Sequence, residues 1–417
     1  MRRSSTTLAS FSLVATATSL ALFSQMGGCT LVTVPDDGGG TVIPPGEGGR
    51  GDDGTVADTG GGGDTSTGDD ASPESSTGDG PAGDSCVCDV GNYDILGNGC
   101  DDDCNGLVDD VPSCDTGLAV QGTAGDLAKA LDLCQTATGP TDPKWGVISA
   151  TFSNGYQLTL PPNDNQHAVM TTFGSTVVPR LNAALGVLSS GCAGVFDDCQ
   201  PGDAQQFKGT HTAMQPNQGG AVPTGFPKPA SGCTTSSAVN DVIDVELKIK
   251  VPLNAKGMHF EFDFHSGEWP EFVCSSYNDS FIAYLQSQAF NGGNPDNFSF
   301  DSKNSPISVN NAFFDRCTTN SSTCGGGTVL PAPCAGGETE LQGTGFFDPH
   351  STYCGSTTES SGGATGWLAS EAPVKPGEVI TLDFIIWDTG DAIYDSLVLL
   401  DKFQWKDKTT GVGTGRP

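Results

Sequence analysis

The chain of 417 residues carries 50 acidic against 18 basic side chains, a formal net charge of −32, with 58 glycines and 15 cysteines. Such an acidic excess, with no basic stripe to neutralise phosphate, excludes nucleic acid and anionic lipid surfaces as partners. It suits solubility, or a supply of oxygen ligands for hard cations. The abundance of Gly, Thr, Ser, Phe and Val favours turns and strands over helices.

The N-terminus reads Arg2-Arg3, then an uncharged, apolar and small-residue run from Leu8 to Phe23, then Gln25-Met26-Gly27-Gly28-Cys29. That is the charged, apolar, small-residue order of an export signal, too short and too rich in Ser and Thr for a membrane span. It resembles a bacterial lipoprotein signal, although Met26 stands where Leu is usual. The resemblance implies a lipidated Cys29, a lipid anchor in the membrane and a place at the outer membrane or cell surface. Plain secretion, with Cys29 discarded or unpaired, is the alternative. Without Cys29 fourteen cysteines remain, an even number that reads as a disulfide framework in an exported chain. Spacing makes Cys192/Cys199, Cys317/Cys324 and Cys100 with Cys104 or Cys114 tempting pairs, without fixing any.

Residues 30–85 are Gly, Asp, Thr, Ser and Pro with few apolar side chains. They cannot bury enough surface to offset their ordering entropy and read as a disordered, self-repelling tether. Residues 86–115 form a cysteine-rich unit containing the run NGCDDDCNGLVDD at 98–110. With Asp101 as position 1 of a calcium loop, Asp103 falls at 3, Asn105 at 5, Gly106 at the turn position and Asp109 at 9. Leu107 would offer its carbonyl at 7. A tight turn at glycine folds alternate oxygens inward onto one hard cation. Position 12 is Pro112 rather than Glu, which predicts weak affinity unless Asp110 substitutes. The run also resembles the NGxDxDCxGxxD metal-binding motif of bacterial surface proteins, for which both copper and calcium have been proposed. Oxygen donors without histidine favour calcium; the bland alternative is an acidic, disulfide-held spacer.

From residue 116 to 410 the pattern predicts a mainly β domain, a jelly-roll-like β-sandwich with one or two short helices. Apolar spacing predicts helices over 126–134 and 177–188. Period-two alternation or apolar runs predict strands over 242–251, 258–264, 280–285, 379–387 and 396–405.

The segments FDFHSGEWPEFVCSSYNDSFIAYL (262–285) and WDTGDAIYDSLVLLDKFQW (387–405) resemble the choice-of-anchor L domain of bacterial surface proteins. The matching features are the Ser266–Phe272 loop, the Tyr277-Asn278-Asp279 strand entry and the Asp388-Thr389-Gly390-Asp391…Asp395 ending. Smaller matches lie around Trp145, Phe173 and Val187–Gly191, so the resemblance spans about 116–406. It implies surface attachment and no established enzymatic role. The cysteine-rich stretch 317–354 departs from the pattern and is a candidate private binding loop.

Glu268, Asp279, Asp388, Asp391 and Asp395 are candidate ligands for a calcium at one sandwich edge, with Glu268, Asp279 and Asp395 the preferred members. Turn formation explains the same carboxylates without metal. Asp388-Thr389-Gly390 after an apolar strand has the look of an aspartic-protease loop, but neither further DTG triplet (Asp58, Asp115) follows a strand to supply the second carboxylate. Glu268 and Glu271 are too close in sequence to flank a sugar. The five histidines are scattered, and His259 and His265 are expected to pack or cap. The expectation is therefore a non-enzymatic, calcium-stabilised surface protein for adhesion or ligand binding, toward a glycan or matrix protein. Trp269, Tyr277, Tyr353 and Trp367 are candidate stacking residues. A polysaccharide hydrolase and a purely structural envelope lipoprotein are the alternatives.

Overall fold

A computed structural model describes residues 86–110, 112–194, 219–310, 313–317, 335–351 and 359–417, with side chains left aside at 348–351 and 359–361. Cys29, the 30–85 tether, Cys199, Cys324 and Tyr353 lie outside the described residues. These comprise one α-helix, α1 (Ala124–Ala130), and sixteen strands: β1 (Gly146–Ser153), β2 (His167–Met170), β3 (Leu185–Ser189), β4 (Val239–Lys250), β5 (Gly257–Ser266), β6 (Ser280–Gln286), β7 (Asp296–Asn297), β8 (Ile307–Ser308), β9 (Arg316–Cys317), β10 (Asp348–Ser351), β11 (Glu359–Ser361), β12 (Gly363–Ala364), β13 (Leu368–Pro373), β14 (Val379–Thr389), β15 (Ser396–Lys406) and β16 (Gly413–Gly415). One sheet runs β1-β4-β14-β6-β7 with β8 also on β6; the other runs β16-β13-β5-β15-β3-β2, with β12 joining β5 to β9. The pairings within both are antiparallel. The long strands β4, β5, β6 and then β13, β14, β15 alternate between the sheets, so each connection crosses the sandwich.

Period-two patterning explains this architecture. Ile243, Val245, Leu247 and Ile249 of β4 point into the same core as Ile380, Leu382, Phe384 and Ile386 of β14. Phe260 and Phe262 of β5 meet them from the opposite sheet. The ring centroids of Phe260 and Phe384 are 4.9 Å apart, and those of Phe262 and Phe281 5.2 Å. Truncating a buried phenylalanine in such a seam costs about 3–5 kcal/mol. The alternation of β5 would leave its polar face in water, yet all ten of its residues are buried. Loops cover that face: Arg180 reaches Glu261, and the rings of Phe173 and Phe346 close on His265.

Helix α1 opens on a capping box, with Thr123 accepting from the Asp126 N–H and Asp126 accepting from that of Thr123. It ends earlier than the expected 134, because Asp132 takes a left-handed φ of 68° and Cys134 is tied to Cys114. The second expected helix, 177–188, is corrected. Val177 bridges Phe173, and Leu185–Ser189 is the fully buried strand β3 between β2 and β15. Pro179 disfavours helix in the residue before it. Gly186 lets Leu127 and Leu131 of α1 pack directly on the strand, where a Cβ would lie 2.9–3.0 Å from their side chains.

Disulfides between described residues include Cys86–Cys100, Cys88–Cys104, Cys114–Cys134 and Cys233–Cys274. They replace the near-neighbour pairings of Cys100 suggested by spacing. The cysteine-rich unit and the sandwich belong to one compact unit from Gly80 to Pro417. Tyr93 joins them: its N–H donates to Asn254 Oδ1 at 3.0 Å, its carbonyl accepts from Asn254 Nδ2 at 2.7 Å, and its ring packs on Trp145. No helix among the described residues is long and apolar enough to cross a membrane.

Candidate metal centres

Two groups of carboxylates stand out. The first is built on the acidic loop. Gly106 takes the left-handed φ of 90° that the turn position demands. Asp101 accepts from the N–H groups of Asn105 and Gly106 at 3.0 and 2.9 Å, and Asp103 from that of Asn105 at 3.0 Å. Asn105 turns its own oxygen back to the Leu107 N–H at 2.8 Å, and the Leu107 side chain is exposed. Asp109 is drawn elsewhere: its carboxylate accepts from the N–H groups of Gly97, Asn98 and Gly99.

Asp94 takes a place in this cluster instead. It is 3% exposed and accepts from the N–H groups of Asp102, Asp103 and Asp110 at 2.7, 3.3 and 3.1 Å. Ligand oxygens of Asp94, Asp101 and Asp103 all lie within 4.8 Å of one another. Burial, then the neighbouring Asp110 carboxyl, pushes the Asp94 carboxyl up; burial, then Asp110 and Asp101, does so for Asp103. Spacing within the loop did not reveal Asp94, seven residues upstream. The Cys86–Cys100 and Cys88–Cys104 crosslinks that frame it were equally invisible.

The second group fills one end of the sandwich, between the sheets. Six strand ends converge there: the end of β3, the start of β4, the end of β5, the start of β6, the end of β14 and the start of β15. They bring together Asp241, Glu268, Asp279, Asp388 and Asp395, each about 1–2% exposed. Asp279 is fixed by the Thr389 N–H at 3.0 Å and the Ser396 hydroxyl at 2.9 Å, and its own N–H donates to Glu268 Oε2 at 3.3 Å. Burial pushes Asp279 up to about 7 and raises Glu268, Asp388 and Asp395 well above the carboxylate range; the neighbouring carboxylates add to it. Among the described residues, no cation is a leading cause for any of the four.

The sequence pattern put Glu268, Asp279, Asp388 and Asp395 at one edge; in the fold they lie in electrostatic reach of one another but buried between the sheets, and among the described residues three carboxylates with oxygens all within 4.8 Å of one another occur at Asp94, Asp101 and Asp103. Asp391 is half-buried at the margin of this group: its charge helps to raise Glu268 and Asp279, and its carbonyl accepts from Asn240 Nδ2 at 2.8 Å. Asp241 escaped the pattern: it sits at a left-handed φ of 51°, beside the irregular pairing where β14 passes the start of β4.

The enzyme-like readings lose their geometry here. Asp388 does have a carboxylate neighbour in Asp279, but both are closed off between the sheets from any polypeptide. Glu268 is likewise buried, while Glu271 is half-buried. His265 is held between aromatic rings, and burial pushes its imidazole down to about 3. Trp269 stacks on Phe314 in the core instead of facing solvent. Tyr277 and Trp367 remain half-exposed.

Comparison with known proteins gives one family. Residues 231–404 match the Choice-of-anchor L domain, a narrower span than the 116–406 suggested by the motifs. No curated protein matches the chain. Among solved structures, the enzymatically active domain of bacteriophage CBA120 tailspike protein 4 aligns at 8% identity with a TM-score of 0.18. The alignment covers 63% of this chain but only 19% of that one, and at that score it carries no argument about fold or activity. The two carboxylate-bearing segments at 262–285 and 387–405 fall within the matched span, save its last residue. Residues 231–404, fewer than half of the chain, are thus similar to the Choice-of-anchor L domain, and that likeness suggests a surface-associated protein.

Proposed function

We propose that the chain is a lipid-anchored surface module, braced by calcium, that presents a β-sandwich to an extracellular glycan or matrix protein. The observation that carries the calcium part is the Asp94, Asp101 and Asp103 group. Two oxygens bound to one calcium at about 2.4 Å lie no more than about 4.8 Å apart, and the three carboxylates meet that limit. The four nearby cysteines are consumed in disulfides, so the donors are oxygen only, which favours calcium over copper. Bound there, calcium would offset the mutual repulsion of Asp94, Asp101, Asp103 and Asp110 and stiffen the loop against the Tyr93 junction. A lipid on Cys29 and the 30–85 tether would hold the unit away from the outer membrane or cell surface. The ligand class rests on analogy with other β-sandwiches.

The test is calcium titration of an EDTA-stripped 86–417 fragment by calorimetry and thermal melting, beside Asp101→Ala/Asp103→Ala. Loss of a binding event and of its stabilisation in the double variant supports the loop site. An unchanged titration removes it and leaves an acidic spacer. Membrane fractionation of the full chain, with Cys29→Ser released to the soluble fraction, tests the anchor. An array of glycans and matrix proteins separates a binding role from a purely structural envelope role. Polysaccharide turnover lost on Glu268→Gln or Glu271→Gln would overturn the non-enzymatic reading.

A further inference from the structure

We propose that the open edge of β1, from Ser149 to Ser153, is a docking site for an extended polypeptide segment that carries basic and apolar side chains in alternation and adds to the sheet as one more strand. The inference gives the matrix-protein side of the proposed function a place on the fold. It rests on that reading, but it does not involve calcium.

Three observations carry it. The first is the length of the edge. Sheet edges are ordinarily kept short, charged, proline-bearing or covered, because their unpaired N–H and C=O groups invite another chain. Among the described residues the other edges follow that rule. β7, β8 and β9 have two residues each and β16 has three, while β2 has four and its Val169 N–H donates to the Val120 carbonyl at 2.7 Å. β1 has eight residues, GVISATFS, with no charge and no proline.

The second is what stays open along it. The start of β1 is closed by residues 135–137: the Val147 N–H donates to the Gln135 carbonyl at 2.8 Å, and the Ala137 N–H to the Val147 carbonyl at 3.0 Å. Past the irregularity between Val147 and Ser149 the strand pairs with β4 alone, Ser149 opposite Lys248 and Ser153 opposite Asp244. In antiparallel pairing every second residue turns both its N–H and its C=O away from the partner strand. Among the described residues, nothing outside β4 is hydrogen-bonded to the main chain of 149–152.

The third is the space and the charge beside it. A groove of about 480 Å³ lies between 150–152 and the 121–124 segment that leads into α1. Phe152 and His167, stacked with ring centroids 4.0 Å apart, line it, and Phe152 also packs on the core, so one face of an added strand would rest on apolar surface. The other face would run to solvent beside Thr151, which is exposed and lies opposite Glu246. Glu246 is answered in part by the exposed Lys248 at 3.1 Å. The exposed Asp164 lines the groove, and among the described residues no Lys or Arg does. Burial pushes the His167 imidazole below its usual range, so it adds no positive charge at neutral pH. A second copy of this chain, itself at −32, would set carboxylate against carboxylate; a basic segment complements them. In strand addition the main-chain bonds supply affinity, and alternate side chains supply specificity.

The experiment uses the full chain and the hexapeptide acetyl-KVKVKV-amide, followed by calorimetry and by amide hydrogen exchange. The expected result is saturable binding in which alternate amides between 149 and 153 gain protection. The fully N-methylated peptide, which keeps its charge and loses its donors, and the EVEVEV peptide should each bind at least about tenfold more weakly. Thr151→Lys sets a cation on the exposed face of the edge, as natural edges are guarded. It should weaken binding of the unmodified peptide by about tenfold or more while leaving the far-ultraviolet circular dichroism unchanged. Binding without protection of these amides, or equal binding of the N-methylated peptide, would overturn the proposal and reduce the contact to diffuse charge attraction. A peptide-free chain that sediments as a dimer, dissolved by Thr151→Lys, would make a second copy the occupant and overturn it too. A matrix protein held equally by the native and Thr151→Lys chains would overturn the edge site yet leave the surface-binding reading intact. A chain that binds neither the peptide nor any arrayed glycan or protein would overturn both.

Discussion

Glu261 shows at residue scale how cations answer a buried carboxylate. It is about 1% exposed, yet Arg180 Nε donates to it at 2.6 Å and Lys402 Nζ at 2.8 Å, with His259 Nε2 at 3.6 Å. Burial alone would push its carboxyl up; the bonds from His259, Lys402 and Arg180 outweigh that and hold it at about 2. Glu261→Ala should therefore cost about 2–4 kcal/mol in chemical denaturation, because it strands two cations against the sheet; the figure is discounted for their partial exposure. A loss below about 1 kcal/mol would mean that solvent already screens the network. Gly191→Ala is the matching probe of the acidic end. A methyl cannot fit against Asp395, and the overpacking should cost about 1–3 kcal/mol. Melting of the metal-free variant checks this.

Legibility differs from element to element for physical reasons. The long strands were readable because alternation survives in sequence: VIDVELKIKV and VITLDFIIW set one face of β4 and β14 in the core. The run from Val177 to Leu188 was misread because a short apolar stretch buried on both faces has no distinguishing period; pairing with β2 and β15 made it a strand. Asp101 and Asp103 were legible as alternate oxygens before a turn glycine. Asp94 and Asp241 were not, since folding rather than spacing brings them to their partners. The disulfide pairing was invisible for the same reason, and it has a consequence for the loop. Cys88–Cys104 closes sixteen residues around Asp94, Asp101 and Asp103, which is worth about 3 kcal/mol of unfolded-state entropy. Cys88→Ser/Cys104→Ser should weaken calcium binding at the loop while leaving the far-ultraviolet circular dichroism of the sandwich intact. Unchanged affinity would show that Cys86–Cys100 and the Tyr93 junction suffice.

For the whole molecule, the decisive quantity is how many protons the fold holds that the unfolded chain has released. Burial is the leading cause that pushes Asp132, Asp263 and Asp383 up to about 7 and Asp401 to about 8. Unfolded, each would return to about 3.8–3.9. Between about pH 4 and pH 8 the native state therefore binds more protons than the unfolded state, and stability falls as pH rises. Glu261 works in the opposite sense: its stabilisation is present above about pH 4.5 and is lost as pH falls toward 2. Together they place maximal stability on the acid side, near pH 4–5, instead of the neutral range where ordinary surface carboxylates would put it. Thermal melts of the EDTA-treated protein from pH 4.5 to pH 8 should show the Tm falling throughout, by several degrees or more. A Tm that rises over that interval would mean that these carboxylates are ionised in the fold, and that some unrecognised counter-charge holds them.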